Sequence, residues 1–578
     1  MTGRITRRRD VESLMIAARW PHPDKNTLVT LANRLVADRA DNEGHRFFSE
    51  LSDAQPDAVL PLALAGFFQA RLAGASGVGA GGQVDAAVAK LDRAASADLG
   101  LPQYLRGLAL LALPPDRGRA EQAVADLEFV LAVRDLFPAM LLRGAFAGLA
   151  RAHAVLGQGE RAADAVRRSG LGPAPAGAEL SLGGFWANAE DGFRFTSPRI
   201  VRPEPGIQVA QGYDFSDLAF ITTDDGVVAI DAGTSSDRVK AALADLDLPA
   251  GGPVSHLILT HAHWDHVGGV DALRGPGTRL IAQAGFPAGL AREREFRPPF
   301  RYFTGAADTT PLAVTPDQLI SQPTALTVGG SDLVLYPATG GETGDALLVH
   351  LPATGVLFAG DVLMPYLGQP FSDEGSPEGL LEVLALIGSL RPQRLIHGHP
   401  PLTDLVTAEA IPGLEAALSQ LRDEMIGAIG RNRTLPEILA AATLPDVLRD
   451  HPAAVVPYLV TRDHFTARLH HQRTGYWQPD GSGMHPHTPA ERAAALDLLA
   501  GGDPNRFADA AATLIAQGDH ALALDLINPG LLRHPTSATL ATLRQTALHR
   551  LMEQTQQTDP FRFLIYATQA GAELGPVG

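Results

Sequence analysis

The spacing of hydrophobic positions changes twice along the chain, and these changes predict three regions. Residues 1–180 carry apolar side chains at helical spacing, in stretches such as "AVLPLALAGFFQARLAG" and "AEQAVADLEFVLAVRD". Residues 181–410 contain short runs of β-branched and aliphatic residues bounded by turn residues, which predict strands. Residues 411–578 return to helical spacing. The pattern predicts a strand-rich domain between two all-helical regions, with the first boundary in the Gly- and Pro-rich "GLGPAPAGAELSLGG".

The first helical region alternates small and large apolar residues and places Gly at its turns. This pattern resembles tetratricopeptide-like helical hairpins. We expect a structural role for residues 1–180, and a peptide-binding groove is the alternative.

The composition restricts the chemistry and the partners. With 578 residues, of which 45% are hydrophobic and 19% charged, the chain can bury several cores. A net charge of −17 argues against a nucleic-acid partner, which would be drawn to a basic surface. The chain has no cysteine, so disulfides and thiolate ligands are excluded and a metal site would need His, Asp and Glu.

The start of the chain, "MTGRITRRRDVESLM", has basic residues with no apolar run behind them. No stretch reaches the roughly 18 consecutive apolar residues of a membrane-spanning helix. We therefore expect a cytoplasmic protein without a membrane partner.

The stretch "LILTHAHWDHVGG" concentrates candidate metal ligands at the end of a predicted strand. His261 and His263 point to one side, because side chains alternate along an extended segment. The turn that follows brings Asp265 and His266 to the same space. Imidazole nitrogens and carboxylate oxygens suit zinc and neighbouring divalent ions. The alternative, four packed side chains without an ion, would leave clustered polar groups in need of partners.

This stretch resembles the His-x-His-x-Asp-His signature of the metallo-β-lactamase superfamily. The resemblance implies an α/β fold, an αββα sandwich flanked here by the two helical regions, with two metal ions at its strand ends. Three further segments are similar to those of the family: "GVVAIDAGT" with Asp231 and the tight-turn Gly233, "GVLFAGDVL" with Asp361, and "RLIHGHPP" with His399 as the ligand in preference to His397.

One position departs from the commonest family pattern. Where most members have a histidine, "PATGGETGDALLVH" places Glu342. This loop is similar to that of the alkylsulfatase branch, which has a glutamate there. The alternative is that Glu342 is a solvated loop residue and that the site binds one metal ion or none.

The resemblance implies a hydrolase with two divalent ions, with zinc as the expected metal, and a bridging hydroxide as the nucleophile. Asp231 is expected to orient a ligand histidine through the second ring nitrogen of that histidine. Asp265 and Asp361 are the expected catalytic residues. The implied ligands are His261, His263 and Glu342 for one ion, Asp265, His266 and His399 for the other, and Asp361 as the bridge.

The second helical region resembles the dimerisation domain of alkylsulfatases, which implies a homodimer held by residues after 410. A capping pattern of Thr488, Pro489 and Glu491 predicts the start of one of its helices. The segments similar to the family are Arg422-Asp423, Leu435-Pro436-Glu437 and Gly475-Tyr476-Trp477. Four histidines of this region are expected at the surface or at a subunit contact, not as ligands: His470, His471, His485 and His487.

The alkylsulfatase resemblance implies a small anionic substrate, a sulfate ester. The segment that clamps sulfate in that branch is here "VLMPYLGQPFSDEGSPEGLL", which contains no arginine. In "AREREFRPPFRYF", Arg297 and Arg301 are the candidates to hold the anion, unless this is a solvated loop paired with its own glutamates. A lactonase, phosphodiesterase or other ester hydrolase on the same fold stays open. So does a helical scaffold protein with a structural or vestigial metal site.

Overall fold

A computed structural model of the chain describes residues 2–76, 81–169, 182–188, 192–248, 254–295, 314–367, 375–475, 481 and 484–571. Within these residues, helices come first, a two-sheet α/β core follows, and helices close the chain. The fold class expected from the sequence is therefore confirmed. The boundary segment "GLGPAPAGAELSLGG" lies mostly outside the described residues.

The N-terminal region is built of helices that pack against their neighbours along the chain. Their apolar faces meet in one core, which includes the stacked rings of Phe48 and Phe68, 5.7 Å apart. The helices are Thr2–Ala18, Lys25–Ala37, Asp41–Ala54, Val59–Ser76, Gly81–Ala97, Leu101–Ala112, Arg117–Ala132, Ala139–Val155 and Gly159–Arg168, with a short 3-10 helix at Arg134–Leu136.

Among the described residues, one helix, Val59–Ser76, is long and apolar enough to cross a membrane by length and composition. However, 61% of this helix is buried inside the protein, and its Arg71 forms an ion pair with Asp41 at 2.6 Å. The burial and the ion pair of helix Val59–Ser76 are those of a helix in the core of a protein.

Two sheets form the centre of the described structure, after a small separate ribbon that pairs β1 Trp186–Asn188 with β2 Gly192–Arg194. The strands of the first sheet are β3 Arg199–Glu204, β4 Ile207–Gln211, β5 Leu218–Thr223, β6 Gly226–Ile230, β7 Val254–Ile258, β8 Arg279–Gln283 and β9 Gln318–Ile320. Those of the second are β10 Thr324–Val328, β11 Ser331–Ala338, β12 Ala346–Leu351, β13 Val356–Gly360 and β14 Arg394–His397. In both sheets, each strand pairs with the next one along the chain, so the spatial order follows the order in the sequence.

The sheets pack face to face, and helices cover both outer faces. Aliphatic residues of both sheets, such as Ile258 and Val349, share the core between them. The outer face of the first sheet packs on Val239 and Leu290, which belong to covering helices. This arrangement explains why β12 is buried along its whole length, since a strand covered on both faces reads as a continuous apolar run. The covering helices are Ser236–Asp245, Trp264–Val267, Val270–Leu273, Phe286–Glu295, Pro377–Leu390 and Pro400–Leu405.

The C-terminal region is helical throughout its described residues. Its predicted capping pattern is present, because the Thr488 hydroxyl accepts from the backbone N–H of Glu491 while the Glu491 carboxylate accepts from that of Thr488. Its helices are Ile411–Gly430, Leu435–Ala441, Val455–Thr474, Pro489–Ala500, Pro504–Ala516, His520–Arg533, Ala538–Thr555 and Pro560–Gln569, with 3-10 helices at Ala408–Ala410, Asp446–Arg449 and Pro452–Ala454.

The three regions share buried contacts. The N-terminal helices, the outer face of the second sheet and the helices after residue 410 contribute to one continuous apolar core. Arg199 of β3 donates to the carbonyls of Arg134 and Phe137, and the backbone N–H of Ala139 donates to Asp404. These contacts favour the structural role predicted for the N-terminal region.

Candidate metal centre

The candidate ligands meet because the strands before them end at one edge of the sandwich. β6 and β7 run parallel, as do β13 and β14, so their carboxyl ends point the same way. Asp231 follows β6, the segment starting at His261 follows β7, and Asp361 follows β13. His399 follows β14, and Glu342 lies between β11 and β12.

The structure gathers all seven predicted ligands into two adjacent buried groups. Within each group, the donor atoms lie within 4.8 Å of one another. Each group contains the ligands that the sequence analysis gave to one ion, and Asp361 lies in the second group. The groups are His261, His263 and Glu342, and Asp265, His266, Asp361 and His399.

Hydrogen bonds on the outer side orient three of the imidazole rings. The Nδ1 atom of His266 lies 2.8 Å from the Asp231 carboxylate, and that of His399 donates to the Phe215 carbonyl at 3.0 Å. The Nδ1 atom of His261 lies 2.9 Å from the Thr260 hydroxyl. The opposite nitrogens face the centre, where Nε2 of His261 and Nε2 of His266 are buried without a hydrogen bond of ordinary geometry among the described residues.

The spacing of several donor pairs fits a divalent ion, whereas the Nε2 atom of His399 lies at a hydrogen-bond distance of 2.8 Å from Asp361. Two ligands about 2.1 Å from one ion at a tetrahedral angle lie roughly 3.4 Å apart. The Nε2 atom of His266 lies 3.4 Å from oxygens of Asp265 and Asp361, and that of His261 lies 3.5 Å from Glu342. These separations are too long for strong hydrogen bonds, and an ion between the atoms would satisfy them.

Asp231 occupies the position predicted for it, behind the ligands. Its carboxylate accepts the backbone N–H of Thr260 at 2.7 Å and the Thr260 hydroxyl at 2.8 Å, in addition to its contact with His266. Its φ of 61° lies in the left-handed region, which is uncommon for a residue with a side chain and is found at functional sites. One carboxylate therefore orders both the ligand-bearing strand end and a ligand ring.

Two glycines let the backbone approach the centre. Gly233 has a φ of 60°, and a Cβ there would lie 2.4 Å from the Asp214 carboxylate. A Cβ on Gly398 would lie 2.4 Å from Asp361 and 2.6 Å from His266. The backbone conformation of Gly233 and the close approaches at both positions favour glycine, while the predicted turn at Gly233 stays a prediction.

The carboxylates and imidazoles shift each other's protonation. Burial alone would raise the pKa of Asp265, but the neighbouring imidazoles, first of all that of His266, outweigh burial and hold this pKa well below its usual value. Burial would lower the pKa of His266 and of His399, but the carboxylates, chiefly Asp265 for His266 and Asp361 for His399, raise both. For His399 the pKa rises to about 10.

His397 has a different environment from its neighbour His399. Its Nε2 atom lies 3.1 Å from the Val406 carbonyl, and burial lowers its pKa to about 4. It belongs to neither donor group. His399 therefore lies with the other candidate donors and His397 does not, while the ligand role of His399 stays a prediction.

An aromatic pocket, partly open to solvent, lies over the donors. Five of the candidate ligands line it, and the rest of its described wall is largely apolar. The apolar and aromatic lining residues are Phe195, Phe215, Trp264, Met364, Tyr366, Pro401, Leu402, Pro560 and Phe561. A site of this kind can hold the organic part of a substrate while polar atoms act at one end.

Some sequence predictions cannot be compared with the structure, and one is wrong. Arg297, Arg301, Tyr476 and Trp477 lie outside the described residues. His470 was expected at the surface or at a subunit contact, but its side chain is buried in this chain and contacts the Thr474 hydroxyl at 3.1 Å.

Sequence reasoning missed the aromatic wall and Thr260. Trp264 and Thr260 stand inside or beside the histidine motif, so their position was a usable signal. The sequence around Phe561 gave no signal that this residue belongs to the site, because it lies more than 160 residues after the last candidate ligand, His399.

Comparisons with known proteins agree with this geometry. Residues 212–399 match the metallo-beta-lactamase superfamily, and residues 434–572 match the alkyl sulfatase dimerisation family. A linear primary-alkylsulfatase from Pseudomonas sp. is 22% identical over 344 residues, which cover 53% of this chain and 64% of that enzyme. A hydroxyacylglutathione hydrolase from Rhodobacter capsulatus is 28% identical over 180 residues, 29% of this chain and 59% of that enzyme.

Among solved structures, a stereoselective inverting sec-alkylsulfatase from Pseudomonas sp. superposes with a TM-score of 0.51 at 19% identity, and 65% of each chain is covered. At this identity, the likeness establishes the fold alone. This chain therefore combines a metallo-β-lactamase superfamily domain with an alkyl sulfatase dimerisation domain.

Proposed function

We propose that this protein is a dinuclear metal-dependent hydrolase that cleaves sulfate esters. The observation that carries the proposal is the pair of adjacent donor groups at one end of an aromatic pocket. The similarity to a linear primary-alkylsulfatase supports a sulfate ester as the substrate. The chain spans 64% of the length of that enzyme, so the substrate is part of the proposal.

The donor set suits two divalent ions, with zinc as the proposed metal, because imidazole and carboxylate are its usual ligands when cysteine is absent. In the proposed assignment, Asp361 would be the ligand shared by both ions. The other ligands are His261, His263 and Glu342 for one ion and Asp265, His266 and His399 for the other. When bound, such ions activate a water molecule as the nucleophile and polarise the ester.

The protein's own residues prepare the site for this chemistry. Asp231 and the Phe215 carbonyl hold His266 and His399 with their Nε2 atoms inward. The aromatic wall reduces the access of water to the reacting end and binds the apolar part of the ester.

The sum of charges at the donor groups indicates that a sulfate substrate would need an additional cationic group to bind it. Two divalent ions would bring four positive charges, and Asp265, Glu342 and Asp361 would return three negative ones, which leaves a weakly positive centre. We propose that Arg297 or Arg301 completes the binding of the sulfate, since either could pair with it through two hydrogen bonds.

A second candidate is the hydrolysis of a lactone or another uncharged ester. The described wall of the pocket contains no lysine or arginine, which favours an uncharged reacting group if the arginine loop lies elsewhere. The similarity to a hydroxyacylglutathione hydrolase also supports an ester other than sulfate.

Metal analysis and a substrate panel test the proposal. We expect about two metal ions per chain in the full-length protein, and Asp361→Ala should lose metal and activity together because it removes the shared ligand. The panel comprises octyl sulfate, an aryl sulfate, a phosphodiester and a lactone. Turnover of the lactone without sulfate release would replace the sulfatase proposal, and repeated absence of bound metal would favour a scaffold with a vestigial site.

A further inference from the structure

The active-site pocket has a roof that comes from the C-terminal region. Pro560 and Phe561, the first residues of helix Pro560–Gln569, line the same pocket as His263, Asp265 and His399. They lie inside the stretch that matches the dimerisation family, not inside the metallo-β-lactamase domain. A helix far along the chain therefore closes the space above the donors.

The roof is tied to the wall below it. The Phe561 ring meets the Tyr366 ring edge to face with centroids 5.6 Å apart, and the Tyr366 hydroxyl donates to the Thr558 carbonyl at 2.7 Å. Asp559 caps the helix by accepting the backbone N–H of Arg562 at 3.0 Å. These contacts fix the position of the Phe561 ring over the pocket.

The segment before the roof contacts the first residues of the central region, which are in turn bonded to the N-terminal region. The backbone N–H of Phe185 donates to the Gln556 carbonyl, and the Gln557 side chain donates to the Gly183 carbonyl, both at 2.9 Å. Arg143, buried in helix Ala139–Val155, donates to the Phe185 carbonyl at 2.9 Å. The roof is thus anchored on two sides.

We propose that Phe561 is a specificity-determining residue that limits the size of the apolar group a substrate can place in the pocket. This inference rests on the proposed function, in that the pocket is taken to bind an ester whose polar end reaches the metal ligands. The ring is 8% exposed and has no group that could act on the reacting atoms, so its effect is through shape. The class of ligand it fits is an ester with an apolar alkyl or aryl group.

The test compares long and short substrates in Phe561→Ala, Phe561→Trp and the wild type. The measured quantity is the ratio of kcat/KM for dodecyl sulfate to that for butyl sulfate. We expect Phe561→Ala to raise this ratio about tenfold and Phe561→Trp to lower it, because a pocket discriminates by the methylene groups it can hold. Metal content should stay at the wild-type value in both variants.

Phe507→Ala is the matched control. Phe507 is a buried ring of the same C-terminal helices but lies in their own core, away from the pocket. The Phe507→Ala substitution should lower the stability of the protein and leave the ratio of kcat/KM values for dodecyl and butyl sulfate unchanged. An unchanged ratio in both Phe561 variants, or an equal change in Phe507→Ala, would overturn the inference.

A binding measurement separates this inference from the proposed function. If the wild type hydrolyses no sulfate ester, calorimetry with 1-octanol and 1-butanol on the metal-loaded protein gives the corresponding ratio of Kd values. A ratio that changes in Phe561→Ala but not in Phe507→Ala supports the role of Phe561 while the sulfatase proposal fails. No difference between these variants would reject the role of Phe561.

Discussion

Asp231 shows how one side chain can organise a cluster of candidate metal ligands from outside the two donor groups. It holds Thr260 through two hydrogen bonds and His266 through a third, from a backbone conformation that few non-glycine residues adopt. The residue thus links the end of β6 to the end of β7. Its contribution is to position the ligands in advance.

Replacing this carboxylate should weaken metal binding while the fold persists. Asp231→Asn keeps the shape but loses the charged acceptor for His266, and we expect a loss of about 10- to 100-fold in metal affinity. Competition with a chromophoric chelator measures the change. Asp126→Asn, at a buried carboxylate paired with Arg106 in the N-terminal region, is the control and should bind metal as the wild type does. Equal affinities in both variants would contradict the positioning role.

Metal loading should release protons from the second donor group. In the metal-free protein, carboxylates raise the pKa of His266 well above its ordinary value and that of His399 to about 10, whereas burial lowers the pKa of His261. At pH 7, His266 and His399 must therefore lose their protons to bind an ion, while His261 is already neutral. We expect release of about two protons per chain and an affinity that falls as the pH falls.

Calorimetry in buffers with different heats of ionisation counts these protons. The observed enthalpy of metal binding should vary with the buffer heat, with a slope of about two at pH 7. A binding enthalpy that is the same in all buffers would show that the imidazoles are neutral before metal binds.

At the scale of elements, a buried ion pair joins the first helix to the C-terminal region. Arg462 of helix Val455–Thr474 donates to Asp10 of helix Thr2–Ala18 at 2.9 Å, and its side chain is only 1% exposed. Arg34 lies 3.9 Å from the same carboxylate. Such a pair specifies how the two elements dock, because either charge alone would be costly to bury.

Removing the cation should destabilise the protein. Arg462→Ala leaves Asp10 buried with Arg34 as its remaining cation, and we expect a loss of about 3 kcal/mol in unfolding free energy. Denaturant unfolding measures this loss. Arg8→Ala, which breaks an exposed pair with Glu12, should cause no measurable change. Equal stability of the two variants would show that the buried pair does not hold the elements together.

The pH dependence of this variant has a defined sign. Burial already raises the pKa of Asp10, and loss of Arg462 should raise it further. A carboxyl group whose pKa is higher in the folded state loses stability as the pH rises above its unfolded value, because the unfolded chain ionises more readily. The difference between Arg462→Ala and the wild type should therefore be larger at pH 8 than at pH 5.

At the scale of the whole molecule, we expect a homodimer formed through the C-terminal region. Leu498 and Leu499, at the end of helix Pro489–Ala500, are 84% and 80% exposed within the stretch that matches the dimerisation family. Two adjacent exposed leucines are unfavourable in water, and a symmetric partner would cover the same patch on both subunits.

Charges on this patch should separate the subunits. The double variant Leu498→Glu/Leu499→Glu is expected to be monomeric by light scattering at micromolar concentration, where the wild type is dimeric. Leu136→Glu, at a leucine of the N-terminal region that is 84% exposed, is the control and should remain dimeric. A wild-type monomer would reject the homodimer, and a dimeric double variant would place the interface elsewhere.

Local patterns in the amino-acid sequence were enough to predict the regular elements and the four candidate donors of the histidine motif. Helical spacing, apolar strand runs and the Thr488 cap depend on near neighbours in the chain, so they can be read from short stretches. The histidine motif after β7 also lies within six positions, His261 to His266. Glu342 and Asp361 were found by family resemblance, because each stands in a loop whose own residues are not distinctive.

Only the tertiary structure decided what surrounds those donors. The Asp231 carboxylate reaches His266 because β6 and β7 are parallel neighbours, and His470 is buried because other elements cover its helix. Phe561 reaches the pocket from a helix near the end of the described chain through contacts with Tyr366 and the segment at Phe185. Apolar residues carry no local mark of their destination, because the hydrophobic effect is non-directional and any apolar surface can cover another. The packing of whole regions therefore determined which aromatic side chains became the wall of the site.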